Sequence, residues 1–347
     1  METRAEQIRQ FILENVENHP HDLVAVTAKH FGVTRTTVHR HLSKLIEQGE
    51  VLKSGRKNKV VYSLKSSFNK ELTFPITPDL DESKIWSDHF SFLRGKIPEN
   101  VYWICEYGFT EMVNNAKDHS GGKTVVVRSK RSGDTLELFV WDDGIGVFRK
   151  IKEAFHLDDE KESAFQLSKG KLTTDAANHS GEGIFFTSRA FDRFTLVANG
   201  LAYIRDNEQD DWFLERRVEK NNSSTLVLME ISVHSTRELN AIFKRYTDPE
   251  TDRFDRTHIV VNLALSGEER FVSRSQAKRV LFQLEKFKHI VLDFKGVEAV
   301  GQGFVDEVFR VFKNKHPDIV IDYINANDVV DFMIRRGIAT AQGRNSV

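Results

Sequence analysis

The chain has 347 residues, 39% of them hydrophobic and 29% charged, with 50 Lys+Arg against 51 Asp+Glu for a formal net charge of −1. That length admits two or three domains with separate cores, and the composition excludes a disordered, fibrous or disulfide-stapled chain. Cys105 is the only cysteine, no apolar run is long enough to cross a bilayer, and Met1-Glu-Thr-Arg-Ala-Glu6 lacks the apolar stretch of a signal sequence; a cytoplasmic protein without membrane association is expected.

Residues 1–66 read as three helices and a hairpin. Ile8, Phe11, Ile12 and Val16 recur at helical spacing, and Leu23, Val26, Ala28 and Phe31 do so again after Pro20. Gly32 stops that helix, and Thr34 is a good N-cap for a third one, Arg35 to Gln48, with Val38, Leu42, Leu45 and Ile46 inward. Val51–Lys53 and Val60–Leu64 read as strands joined by Ser54–Lys59. From Thr34 to Val60 the basic residues are Arg35, Arg40, Lys44, Lys53, Arg56, Lys57 and Lys59, against Glu47 and Glu50 alone, a balance that suits a polyanion. The pattern resembles a winged helix-turn-helix of bacterial repressors. The resemblance implies that the third helix offers Arg35, Thr36, Thr37, His39 and Arg40 to base edges of duplex DNA, that Lys57 and Lys59 on the wing meet phosphate or minor groove, and that the protein acts as a homodimer. A winged helix used for protein contact is the competing reading.

Residues 67–97 read as a connector with Pro75, Pro78 and a short helix, Glu82 to Arg94. A long amphipathic helix is predicted from Pro98 to about His119, then strands at Thr124–Ser129 and Thr135–Trp141 joined by Ser132-Gly133-Asp134. A lysine-rich stretch, Arg149 to Asn178, separates these from Gly181-Glu182-Gly183, a further helix, and strands at Phe194–Ala198, Trp212–Val218 and Thr225–Ile231.

Three motifs fall in this middle part. Glu111 and Asn115 are four apart on the long helix and share a face; a carboxylate can activate water, and an amide oxygen suits Mg2+. Asp142, Gly144 and Gly146 follow a strand, where a carboxylate can accept from an adenine amino group and glycines permit close backbone approach. Gly181 and Gly183 open a helix, where exposed N–H groups suit phosphate. Each motif alone is ordinary: a solvated helix face, a turn, a loop. In this order they resemble the GHKL (gyrase, chaperone, histidine-kinase, anti-sigma-kinase) ATPase domain, over residues 98–234. The resemblance implies ATP and Mg2+ as ligands, Asn115 as Mg2+ ligand, Asp142 as adenine acceptor and Glu111 as the base where hydrolysis occurs. It places Gly144, Gly146, Gly181, Gly183 and Thr225 around the nucleotide, although Ser224 stands where the family has glycine before that threonine. Arg149 to Asn178 would be a lid from which Lys169 or Lys171 reaches the γ-phosphate, unless the stretch is a solvated charged loop. His119 and Ser120 belong to the pocket rim or to a helix cap.

Residues 235–347 alternate: strand Ile259–Ala264, helix Ser273–Lys286, strand His289–Phe294, helix Gly303–Phe312, strand Ile319–Tyr323, helix Ala326–Arg336. Val291 to Glu307 resembles STAS-like domains found beside GHKL domains. The resemblance implies an interaction module with a protein partner, but Gly303 stands where related antagonists carry a phosphorylatable serine, which argues against phosphorylation-driven switching. Asp306 and Glu307 are either partner contacts or helix caps. The expected architecture is an α/β and α+β multidomain chain: winged helix-turn-helix, GHKL α/β sandwich, small STAS-like α/β domain. The expected function is an ATP-responsive, DNA-binding transcriptional regulator; an anti-sigma-like serine kinase or an ATPase acting on a protein partner is the alternative. A sensor histidine kinase is excluded, because residues 66–97 are too short for its phosphoacceptor hairpin.

Overall fold

The computed structural model describes residues 3–16, 19–55, 60–64, 68–174, 180–209, 211–216, 223–264 and 271–344. At the N-terminus, α1 (Arg4–Asn15) starts from a capping box between Thr3 and Glu6, and α2 (Leu23–Phe31) ends on Gly32 at φ 61°. Next, α3 (Arg35–Glu47) is capped by Thr34, whose Oγ1 accepts the Thr37 N–H at 3.2 Å. Strands β1 (Val51–Ser54) and β2 (Val61–Leu64) pair antiparallel. Ile8, Ile12, Leu23, Val38, Leu42 and Leu45 close a small core. Arg35, Thr36, His39 and Arg40 are exposed at the start of α3 and Thr37 is half-buried; Lys57 and Lys59 lie outside the described residues.

Residues 68–97 are more than a connector. Strand β3 (Phe68–Pro75) pairs antiparallel with β4 (Thr124–Ser132) along its whole length and forms an edge of the central sheet, where Pro75 is tolerated because an edge strand has spare N–H groups. In α4 (Glu82–His89), the buried Trp86 donates to the Tyr102 hydroxyl at 2.9 Å and packs with Phe90 and Phe109. These residues belong to the core beneath the long helix α5 (Glu99–His119).

The central sheet has seven strands, completed by β5 (Thr135–Asp142), β6 (Arg193–Ala198), β7 (Leu201–Asp206), β8 (Asp211–Arg216) and β9 (Thr225–Ser232), in the order β3-β4-β5-β9-β6-β7-β8, every neighbouring pair antiparallel. Alternation of buried and half-buried residues along β4 and β5 gives the sheet one apolar face, and the stripe Phe109, Met112, Val113 and Ala116 of α5 packs on it. Between β5 and β6 lie α6 (Val147–Phe155), α7 (Glu160–Ser168) and α8 (Gly183–Ala190).

After α9 (Leu239–Tyr246), the C-terminal part builds a three-stranded parallel sheet in the order β10-β11-β12 from Arg256–Val260, His289–Asp293 and Val320–Ile324. The strand expected to run to Ala264 stops at Val260, and Val261–Ala264 is a 3-10 turn. Around the sheet are α10 (Arg274–Leu281), α11 (Gln302–Asp306) continuing through a π-helical stretch, Glu307–Phe312, into α12 (Lys313–Lys315), and α13 (Asp328–Arg344). Its core takes in Phe165 of α7 and Phe185 and Phe186 of α8. Among the described residues no helix is long and apolar enough to cross a membrane.

Phe109 is fully buried, with ring centroids 5.2 Å from Trp86 and 4.9 Å from Phe90. Truncation there removes the packing of α5 against Trp86 and Phe90, so Phe109→Ala is expected to lower unfolding stability by about 3–5 kcal/mol in urea titrations followed by tryptophan fluorescence.

Candidate functional site

A cleft opens where the C-terminal half of α5 passes over the ends of β5 and β9. Its lining includes Glu111, Asn115, Asp142, Gly181, Gly183 and Thr225, six residues from four separate stretches of sequence. The sheet register explains part of this convergence. Asp142 ends β5 directly opposite Thr225, the first residue of β9, so the carboxylate and the hydroxyl share the cleft floor. The Thr225 Oγ1 also accepts the Val147 N–H at 3.2 Å, which ties the floor to the start of α6.

Asp142 is 5% exposed and accepts the Gly144 N–H at 2.9 Å. Burial pushes its pKa up to about 6; hydrogen bonds from Gly144 and Thr225 hold it down, and Asp143 pushes it further up. Asp143, one residue on, does a different job: exposed, it accepts the Lys123 and Thr124 N–H groups at 2.7 and 2.9 Å and closes the turn before β4. On α5, Glu111 and Asn115 present the same face to the cleft. Burial raises the Glu111 pKa, with Glu182 and then Glu82 adding to the rise. Asn115 Nδ2 is buried and has no hydrogen-bond partner, the kind of group a ligand completes.

The glycines have local reasons. A Cβ on Gly183 would overlap the Glu111 carboxylate, so the helix start and the carboxylate share one space. Gly181 has φ 73°, and a Cβ there would meet the Leu172 backbone. Gly144 and Gly146 do not line the cleft. Gly144 passes against the Ser120 carbonyl, and Gly146, at φ 85°, against the Asn199 side chain. That asparagine clamps the loop: its Oδ1 accepts the Arg149 N–H at 3.0 Å, and its Nδ2 donates to the Ile145 carbonyl at 3.0 Å.

Lys169 and Lys171 are absent from the cleft lining and are engaged by the C-terminal part. Among the described residues, the lysine that lines the cleft is Lys150, which donates to the His119 carbonyl at 2.7 Å. Its signal was available: Val147, Lys150 and Ile151 lie at helical spacing on the first turns of α6, and all three line the cleft. Thr173 and Thr174 add hydroxyls; residues 175–178 of the expected lid lie outside the described residues. His119 and Ser120 both line the rim, and Ser120 Oγ also accepts the Gly122 N–H at 2.9 Å as a cap. Among the described residues no group of three or more His, Cys, Asp or Glu could hold a metal by itself.

Residues 276–331 match the family model of a STAS-like domain of unknown function (DUF4325), so this part of the chain is STAS-like. The match runs from α10 through β11 and β12 into α13. No curated protein matches the chain.

Because the folded state holds the Asp142 pKa above its ordinary value of 3.8, the fold favours the protonated acid. That contribution is present below pH 3.8 and is lost as pH rises through about 6. Asp142→Asn is therefore expected to raise the melting temperature at pH 8 and to change it little at pH 4, the difference amounting to at most about 3 kcal/mol. Melting curves of both proteins across that range check it.

Proposed function

We propose that the protein is an ATP-binding regulator whose middle part is a GHKL-type domain and whose N-terminal part is a DNA-binding winged helix. One observation carries the nucleotide reading: a buried carboxylate, Asp142, and Asn115, whose buried Nδ2 has no partner, face one cleft beside a glycine-opened helix. An adenine ring on the floor would bring its amino group to Asp142, which with a pKa near 6 is largely ionised at neutral pH and accepts it. Gly181 and Gly183 at the start of α8 would offer backbone N–H groups to phosphate oxygens. Asn115 would hold Mg2+ through its amide oxygen together with the nucleotide's own phosphates, the arrangement Mg2+ prefers when a protein supplies few ligands. Bound Mg2+ supplies neutralisation of phosphate charge. Glu111, with its proton affinity raised by burial, would be suited to take a proton from a water entering the cleft beside it.

The DNA reading rests on Arg35, Thr36, His39 and Arg40 standing exposed on the first turns of α3, while Val38, Leu42 and Leu45 lock the helix to its core. A rigid helix with its basic end free fits a major groove. The STAS-like part then serves as the module through which a protein partner or a second copy is engaged.

Thermal-shift measurements with ATP and Mg2+ test the nucleotide reading. ATP at about 100 times its dissociation constant is expected to stabilise the protein by about 2.7 kcal/mol. The shift should vanish in Asp142→Ala and Asn115→Ala, and persist in Glu111→Gln while turnover falls by about 10²–10⁴-fold. A wild-type melting curve unmoved by nucleotide contradicts the reading.

Fluorescence anisotropy with duplex DNA tests the other half. Alanine at both Arg35 and Arg40 is expected to weaken binding by about 10- to 100-fold, and wild-type affinity should drop steeply with salt. Salt-insensitive binding, or binding indifferent to that change, contradicts it.

A further inference from the structure

The wall segment that follows α7 reaches the cleft only after passing through the C-terminal part. Lys169 is 2% exposed, and its ammonium donates to the carbonyls of Arg279, Val280 and Phe282 at 3.1, 2.9 and 3.2 Å. These carbonyls lie at the C-terminal end of α10, where a helix leaves acceptors unused and its dipole favours a cation. The ammonium also lies 4.6 Å from the Phe165 ring centroid. Burial holds the Lys169 pKa well below the ordinary lysine range, against Glu162 and Glu285. Gln166 Nε2 donates to the Arg279 carbonyl at 3.1 Å, and Thr257 Oγ1 donates to the Lys169 carbonyl at 2.7 Å. Gly170, at φ 84°, lies so close to Phe254 that a Cβ would overlap its ring. Lys171 then pairs with Asp255 at 3.0 Å and donates to the Lys286 carbonyl at 2.8 Å. The next residues, Leu172, Thr173 and Thr174, line the cleft.

The facing wall is anchored the same way. Gly183 and Ile184 line the cleft, and Phe185 and Phe186, directly after them, are fully buried in the C-terminal core. Their rings lie 4.5 and 4.9 Å from Phe254, the ring that also abuts Gly170. Gly181 in turn rests on the backbone of Leu172. Both walls therefore meet each other at the cleft and meet again at Phe254, in the C-terminal part.

We propose that the cleft and the STAS-like part form one coupled device, in which a ligand in the cleft and the seating of Lys169 and Phe185–Phe186 in the C-terminal core stabilise each other. The Lys169 seat makes the coupling discrete. Nζ donors withdrawn from their three carbonyls without reaching water would be left unsatisfied in the interior, so the latch is either in or out. A ligand that orders Leu172–Thr174 and Gly181–Ile184 lowers the cost of keeping it in, and a seated latch raises ligand affinity by the same factor. This linkage rests on the nucleotide reading above.

Hydrogen exchange on the full chain, with and without ATP and Mg2+, tests it, alongside calorimetric titration of Lys169→Met, which keeps the aliphatic length, and of the milder Lys171→Ala. The expected result is slowed exchange not only at 111–116 and 181–184 but also at 254–259 and 279–286, with at least about fivefold weaker ATP binding in Lys169→Met or, if that variant does not fold, in Lys171→Ala. Slowed exchange confined to the cleft, or unchanged affinity in the folded variants, overturns the linkage while leaving the nucleotide reading intact. No heat of binding and no change in exchange anywhere in wild type defeats the nucleotide reading, and the linkage with it.

Discussion

Helix α5 is held on the sheet by Phe109, Met112, Val113 and Ala116, and that seating sets where Glu111 and Asn115 point. A helix turns by about 100° per residue, so a seat displaced by one position would carry both side chains out of the cleft. The strand beneath is equally constrained, because the β5–β9 register puts Asp142 opposite Thr225, and a slip of one residue would turn the carboxylate to the other face of the sheet. Apolar packing thus fixes the polar constellation. The cleft residues hold few of one another; their positions are inherited from the core.

That inheritance has an electrostatic consequence. Glu111, Asp142 and Glu182 all line the cleft, and all three have pKa values raised first of all by burial. A cleft that charges its own carboxylates reluctantly favours a ligand that brings hydrogen-bond donors or a cation to them. On the proposed reading, an aminopurine carrying a divalent ion would answer both needs, with the start of α8 and Lys150 on the phosphate side of the lining. The same walls continue into the STAS-like part through Lys169, Lys171, Phe185 and Phe186, so the cleft and that part share structural elements rather than merely touching.

Helices α1, α2, α3 and α5 and the shared face of Glu111 and Asn115 were legible in the sequence because they rest on strong local signals, whereas α6 and α7 lie in the stretch expected to be a charged lid and α9 is not among the predicted helices. Thr34 and Gly32 bound helices as their chemistry requires, and Glu111 and Asn115 share a face by spacing alone. The misses have physical causes. Strand β3 is polar and carries proline, and its membership of the sheet comes from pairing with β4 rather than from its own pattern. Strand β7 is buried on both faces except at its end, which erases the alternation that marks a strand. The signal that could have found it, Asn199-Gly200 with both residues at positive φ, is the pair that a tight turn between antiparallel strands demands. Lys169 and Lys171 sit in the stretch where a phosphate-binding lysine is expected, but their partners, the end of α10 and Asp255, lie 84 to 113 residues away, beyond any local signal.

The most direct test is a crystal structure of the chain grown with a non-hydrolysable ATP analogue and Mg2+. The account requires the adenine amino group within hydrogen-bonding distance of the Asp142 carboxylate, the metal on the Asn115 amide oxygen, and the phosphates at the start of α8. A nucleotide bound elsewhere, or a cleft that stays empty at saturating analogue, contradicts it.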